Sequence, residues 1–232
     1  MTKITTLGFD ADDTLWHNER VFRLTEDRFA ELLADYTEKA HLSERLLAAE
    51  RRNVLHYGYG VKGFTLSMIE TAIEVTDRQV PADVIAEILE AGRDMMRHPV
   101  EPLPHVEETL KAVKKNYKLV LITKGDLFDQ ERKVTASGLD VYFDVIEIVS
   151  EKTDDTYRTL FSRHGTGATE ALMIGNSLKS DIVPALDAGA FGAHVSYDVT
   201  WALEEADEPR GHERFYRLDN IGKVPQLLAR LS

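Results

Sequence analysis

Apolar and polar positions change rhythm along this chain. Ile4-Thr5-Thr6-Leu7-Gly8-Phe9 is a short strand-like run. From about Asn18 to Arg97 only the helical period recurs, with Val21, Phe22, Leu24, Phe29, Leu32 and Leu33 forming one apolar stripe. The pattern predicts a second helix capped by Ser43 with Glu44 to Leu55 as its body. Tyr57 to Gly63 carries three glycines in seven residues and reads as a break, after which helix resumes over Phe64 to Thr76. A further helix is expected to open near Pro81, with Val84, Ile85, Ile88 and Leu89 on one side. His98 to Pro104 holds three prolines and closes this all-helical block.

Beyond it the period shortens. Lys118 to Thr123, Val145 to Val149, Ala171 to Ile174 and, more weakly, Gly192 to Val195 are short apolar runs. Helical stretches lie at Val106 to Lys115, Leu127 to Ser137, Thr156 to His164 and Leu178 to Ala188. Runs that are apolar at nearly every position suit strands buried on both faces, and their alternation with helices predicts a parallel sheet. The expected fold is α/β: a Rossmann-like parallel-sheet core domain, residues 1–16 and 99–232, with an inserted all-helical cap domain, residues 17–98. No internal repeat interrupts this picture.

Charge narrows the partners. Lys plus Arg is 28 and Asp plus Glu is 40, a net charge of −12. Such a chain has no general attraction for nucleic acid or an anionic membrane, and an anionic substrate would need local cations or a metal. Cysteine is absent, which removes disulfides, thiolate zinc sites and cysteine nucleophiles. No apolar run approaches the roughly 20 residues that span a bilayer, and no signal-peptide pattern opens the chain. The expectation is a soluble cytoplasmic protein.

In open α/β sheets, ligands bind beyond the carboxyl ends of the strands. After the first run comes Asp10-Ala11-Asp12-Asp13; after the second, Thr123-Lys124-Gly125; past Val149, Lys152; after the fourth, Gly175-Asn176-Ser177 and Asp181. Three acids crowded behind a buried strand repel one another unless a cation joins them. Asp10, Asp12 and Asp181 together suit Mg²⁺, which takes a few carboxylates plus water and phosphate oxygens. A carboxylate can attack a phosphoryl group, and a second can move protons to the leaving oxygen and from water. Lys152 and Thr123 suit the phosphoryl oxygens. Asp13 suits a turn or helix cap.

FDADDTL, LVLITKG, Lys152 within EKTDDTY, and IGNSLKSDI resemble, in order, the four motifs of the haloacid dehalogenase-like (HAD) hydrolase superfamily, phosphatase type with a C1 helical cap. The resemblance spans Phe9 to Ile182. It implies Asp10 as nucleophile and Asp12 as general acid/base, with Thr123 and Lys152 on the transferring phosphoryl group. It implies Mg²⁺ held by the Asp10 carboxylate, the Asp12 backbone carbonyl and Asp181. Two positions depart from the pattern. Asn176 stands where an acid is usual and still offers an oxygen to metal or its water. Lys124 follows Thr123 directly and either adds charge to the phosphate site or shares the role of Lys152.

The activity so implied is dephosphorylation of a small phosphorylated metabolite. Alternatives are a haloacid dehalogenase, which typically lacks the acid that Asp12 supplies, a phosphomutase, or a non-catalytic metabolite-binding module. Candidate specificity residues are Trp16 and His17 beside the first motif and Lys62 in the glycine-rich break, the last weighed against a simple helix connection. Arg163-His164-Gly165 reads as a helix stop. Glu204-Glu205-Ala206-Asp207-Glu208 reads as solvated surface.

Overall fold

The computed structural model describes residues 3–231. In chain order, β1 (Thr6–Phe9) is followed by four helices, α1 (Glu19–Leu32), α2 (Lys39–Tyr57), α3 (Val61–Val75) and α4 (Ala82–Arg97). Then come α5 (Val106–Val113), β2 (Lys118–Lys124), α6 (Leu127–Ser137), β3 (Val145–Val149), α7 (Asp154–His164) and β4 (Ala171–Gly175). The chain ends with α8 (Val183–Asp187), β5 (Phe191–Val195), β6 (Phe215–Leu218) and α9 (Val224–Leu231). It forms two compact units. One is an α/β unit of the residues up to Glu19, Val100–Lys124 and Gln130 onward; the other is a helical unit of Arg20–Pro99 with Gly125–Asp129.

The α/β unit is built on one six-stranded sheet in the order β3-β2-β1-β4-β5-β6, every pair parallel. Leu7 pairs with Leu119 and Leu172, and Phe9 with Leu121 and Ile174. These six side chains share one face and pack against Val106 and Leu110 of α5 and Val224 and Leu227 of α9. The alternate residues Val120, Ile122 and Met173 meet Tyr157, Leu160 and Phe161 of α7 on the other face. Burial on both faces is why the strands are apolar without alternation; each buried Leu or Ile contributes about 2 kcal/mol. The doubly wound Rossmann-like expectation is met.

Gly8 in β1 has a packing reason. A Cβ there would lie 2.9 Å from Met173 Sδ and 3.0 Å from Phe161 Cζ. Gly8→Ala is expected to cost about 1–3 kcal/mol through overpacking. Urea unfolding checks it; an unchanged midpoint would show that the α7 face repacks freely.

Several elements differ from the sequence expectation. β6 and α9 were not expected: Phe-Tyr-Arg-Leu is a half-buried edge strand whose arginine breaks the apolar run. The second helix begins at Lys39, so Ser43 lies inside it and caps nothing. The break between α2 and α3 is made by Gly58 and Gly60, at φ of 72° and 106°. Gly63 belongs to α3, where a Cβ would sit 2.8 Å from the Gly58 carbonyl oxygen. The stretch after Ser177 first winds as a wide turn over Leu178–Ile182, and only then becomes α8.

The helical unit has its own core, with Phe29, Leu33, Leu46, Phe64, Met68 and Ile88 at its centre. No helix among the described residues is long and apolar enough to cross a membrane.

Candidate active site

β1 extends its pairing by one residue, since the Asp10 N–H donates to the Ile174 carbonyl at 2.9 Å. The chain then coils: Leu15 N–H donates to Ala11 O at 2.7 Å. Asp13 adopts φ 61°, a left-handed conformation that Asp tolerates better than most residues. Its carboxylate accepts from the backbone N–H groups of Asn18 at 2.9 Å and Glu19 at 3.0 Å, and so caps α1, in line with its expected capping role. Burial pushes its carboxyl up to about 7.

Asp10 is buried at the centre of the carboxyl edge. Its Oδ1 accepts from Lys152 Nζ at 2.6 Å and its Oδ2 from the Thr14 hydroxyl at 2.8 Å. The same ammonium donates to Asp181 Oδ1 at 2.7 Å. Lys152 and Asp181 side chains are 2% and 1% exposed, so one cation joins two carboxylates away from water. Burial and the Asp181 charge push the Asp10 carboxyl up to about 7 against the pull of Lys152. For Lys152, burial favours the neutral amine, but Asp10 and Asp181 outweigh it and hold the ammonium above its usual range. Asp181 is steadied by the Ser177 N–H, which donates to its Oδ2 at 2.9 Å. It fits only because position 175 is glycine: a Cβ there would fall 2.3 Å from the same oxygen.

Asp12 is turned elsewhere. Its carboxylate accepts from Lys133 Nζ at 2.7 Å, from Trp16 Nε1 at 2.8 Å and from Gln130 Nε2 at 2.9 Å. Burial alone would raise its carboxyl, but Lys133, Gln130 and Trp16 draw it below the usual range, so it is held as the anion. Lys133 and Gln130 did not emerge from the sequence. They sit three apart on α6, and nothing local ties that face to the first strand.

The expected group of three carboxylates around a cation is therefore not formed; among the described residues no three His, Cys, Asp or Glu side chains cluster as a metal site. A different oxygen set converges. The Asn176 carboxamide end lies 3.1 Å from the Asp12 backbone carbonyl, 3.1 Å from Asp10 Oδ2 and 3.0 Å from the Thr14 hydroxyl. Turned with its NH₂ inward, it donates to all three. Turned with its oxygen inward, Asn176 presents a hard donor 3.1 Å from Asp10 Oδ2 and 3.1 Å from Asp12 O, the spacing of neighbouring ligands in an octahedral Mg²⁺ shell. With Asp181 beside them, these residues fit the ion.

The remaining candidates separate. Thr123 is buried at the end of β2. Lys124 Nζ lies 2.6 Å from Glu204 and 2.7 Å from the Ser180 hydroxyl, so it faces protein partners. Trp16 is fully buried, and its indole serves Asp12 instead of lining an entrance. His17 Nδ1 is 2.6 Å from the Tyr197 hydroxyl. Within the helical unit, Lys62 pairs with Asp126 at 2.9 Å and lies over the Phe128 ring. His164, at the end of α7, pairs with Glu147. Glu204 is not solvated surface: its side chain is 16% exposed, and it makes three charged or hydroxyl contacts.

Fold and site together define an α/β protein whose buried carboxylates stand at the switch point of a doubly wound sheet. The particular family follows from comparison: a family model described as haloacid dehalogenase-like hydrolase matches residues 4–189, and the chain belongs to that family. A haloacid dehalogenase-like family hydrolase from Xanthomonas campestris has a crystal structure 43% identical in sequence, with a TM-score of 0.88, covering 98% of this chain and 91% of its own. N-acylneuraminate-9-phosphatase of Rattus norvegicus is 27% identical over 132 residues, 53% of this chain and 52% of its own. Glyceraldehyde 3-phosphate phosphatase of Methanothermobacter thermautotrophicus is 27% identical over 135 residues, 56% of this chain and 59% of its own. The chain thus spans about half the length of the curated relatives it matches.

Proposed function

We propose that this chain is a Mg²⁺-dependent phosphohydrolase that removes phosphate from a small phosphorylated metabolite through an aspartyl phosphate on Asp10. The observation that carries this reading is the buried Asp10–Lys152–Asp181 arrangement, with a second acid two residues after the first. The kinship with two phosphatases supports the same reaction class.

In this reading an Asp10 oxygen attacks phosphorus as the bond to the leaving oxygen breaks, and Asp12 supplies the proton that the leaving oxygen takes. Asp12, now the anion, takes a proton from water as that water attacks the phosphorus, and Asp10 leaves as a carboxylate. The anionic Asp12 held by Lys133 is the form that activates water. To serve as the acid it must first loosen from Lys133 and gain a proton. Thr123 and Lys152 bind the phosphoryl oxygens. Asp10, the Asp12 carbonyl, Asp181 and Asn176 would hold Mg²⁺, which supplies positive charge against the phosphoryl group. Asp12 disfavours the dehalogenase alternative. The helical unit takes the role of the cap that selects substrates, with Lys62 as its candidate specificity residue and His17 as the candidate in the α/β unit; Trp16 is better read as a support for Asp12.

The test is phosphate release from a panel of phosphorylated metabolites and an aryl phosphate, with Mg²⁺ and with chelator. Release that chelator abolishes is expected. Mg²⁺ binding with silence across the panel would reject hydrolysis and favour the phosphomutase or the binding module.

A further inference from the structure

Glu204 lies in a short turn, Ala202–Glu204, more than twenty residues past Asp181 and in no regular element of the sheet. Its Oε1 accepts from Lys124 Nζ at 2.6 Å, and its Oε2 accepts from the Ser177 hydroxyl at 2.6 Å and the Ser180 hydroxyl at 2.5 Å. Lys124 also donates to the Ser180 hydroxyl at 2.7 Å, and Lys179 Nζ donates to the neighbouring Leu203 carbonyl at 2.7 Å. Burial would favour the neutral acid at Glu204, but Lys124 and the two hydroxyls draw its carboxyl below the usual range, so the group is an anion.

The partners of this anion belong to the two walls of the site. Lys124 ends β2, directly after Thr123, while Ser177 and Ser180 follow β4. β1, which delivers Asp10, runs between those two strands. The serines also build the turn that holds Asp181: Ser177 O accepts from the Asp181 N–H at 2.9 Å, and Ser177 Oγ accepts from the Ser180 N–H at 2.9 Å. We infer that Glu204 is a positioning residue: its carboxylate clamps the end of β2 to the Ser177–Asp181 turn and so fixes Asp181 opposite Asp10. It also commits the charge of Lys124 to the protein, which leaves Lys152 as the lysine for the phosphoryl group. The inference rests on the phosphohydrolase reading for its effect on turnover, and on geometry alone for its effect on the turn.

The experiment uses the full chain carrying Glu204→Gln, Lys124→Met or both. Glu204→Gln is expected to lower kcat about 10- to 100-fold with KM within about threefold, because a small displacement of a charged group near the reacting atoms has that effect. The double variant should be no worse than the poorer single one, since both remove the same contact. Hydrogen exchange of the Ser180, Asp181 and Ile182 amides should quicken at least about tenfold while β4 is unaffected. An unchanged kcat, a rise in KM alone, additive losses or unchanged exchange would each overturn the clamp. Should Glu204→Gln fail to fold, Ser180→Ala removes one arm of the clamp and must show the same exchange change and a smaller kcat loss. If the unmodified chain releases no phosphate, the phosphohydrolase reading falls, and exchange alone decides the clamp.

Discussion

Asp10→Asn is expected to abolish phosphate release, with kcat down by at least about 10³-fold at saturating Mg²⁺. An amide is a poor nucleophile toward phosphorus, and no other carboxylate can take its place. Asp12 is held by Lys133, Trp16 and Gln130, and Asp181 by Lys152 and the Ser177 N–H. The fold should survive. Asn has the size of Asp; its carbonyl oxygen can still accept from Lys152, while its NH₂ takes the place of the oxygen that faces Thr14 and the hydroxyl turns to accept from it. It also relieves the repulsion from Asp181 that, after burial, pushes the Asp10 carboxyl up. Activity lost with an unchanged melting temperature would fit the assignment. Turnover within about tenfold of the unmodified enzyme would move the nucleophile elsewhere and sink the aspartyl-phosphate route.

Lys152→Met is expected to be costly to stability as well as to turnover. The ammonium lies 2.6 Å from Asp10 and 2.7 Å from Asp181, all three groups buried. Methionine fills much of the space but leaves two carboxylates facing each other without a counter-charge. Breaking a buried ion pair from one side costs about 3–5 kcal/mol, which for a chain of this size lowers the melting temperature by roughly 10 °C. Mg²⁺ should recover part of that loss, so the melting temperature gained on adding Mg²⁺ should be larger in the variant than in the unmodified chain. Melts in chelator and in Mg²⁺ measure both effects. A variant as stable as its parent in chelator would mean that Asp10 and Asp181 are neutral or solvated.

The parts of the site visible in the sequence share one property: they lie at or shortly past the end of a short apolar run, Lys152 three residues after Val149 and Asp181 in the turn that follows β4. Asp10, Thr123 and Asn176 are placed by strand ends, and the register of a parallel sheet brings strand ends together. Asp13 was legible as a cap because capping is a contact with residues nearby in sequence. Lys133 and Gln130 were not legible: which face of α6 turns toward Asp12 depends on packing, and lysine and glutamine on a helix carry no mark of it. Glu204 was hidden in an acidic run that reads as surface, and its burial comes from partners 24 to 80 positions away. Trp16, beside the first motif, gave no sign of whether its ring would face solvent or core.

What the sequence alone determined is therefore the local and the periodic: the apolar strands of a parallel sheet, the helical insert after the first of them, and the order of carboxylates, hydroxyl and lysine along one edge. These follow from burial and backbone hydrogen bonding, which act over a few residues and leave a periodic trace. Only the tertiary structure decided the partners of each charge: Lys152 between Asp10 and Asp181, Lys133 on Asp12, and Glu204 on Lys124. A buried ion must find its counter-ion wherever the chain happens to return, and that return leaves no pattern along the sequence.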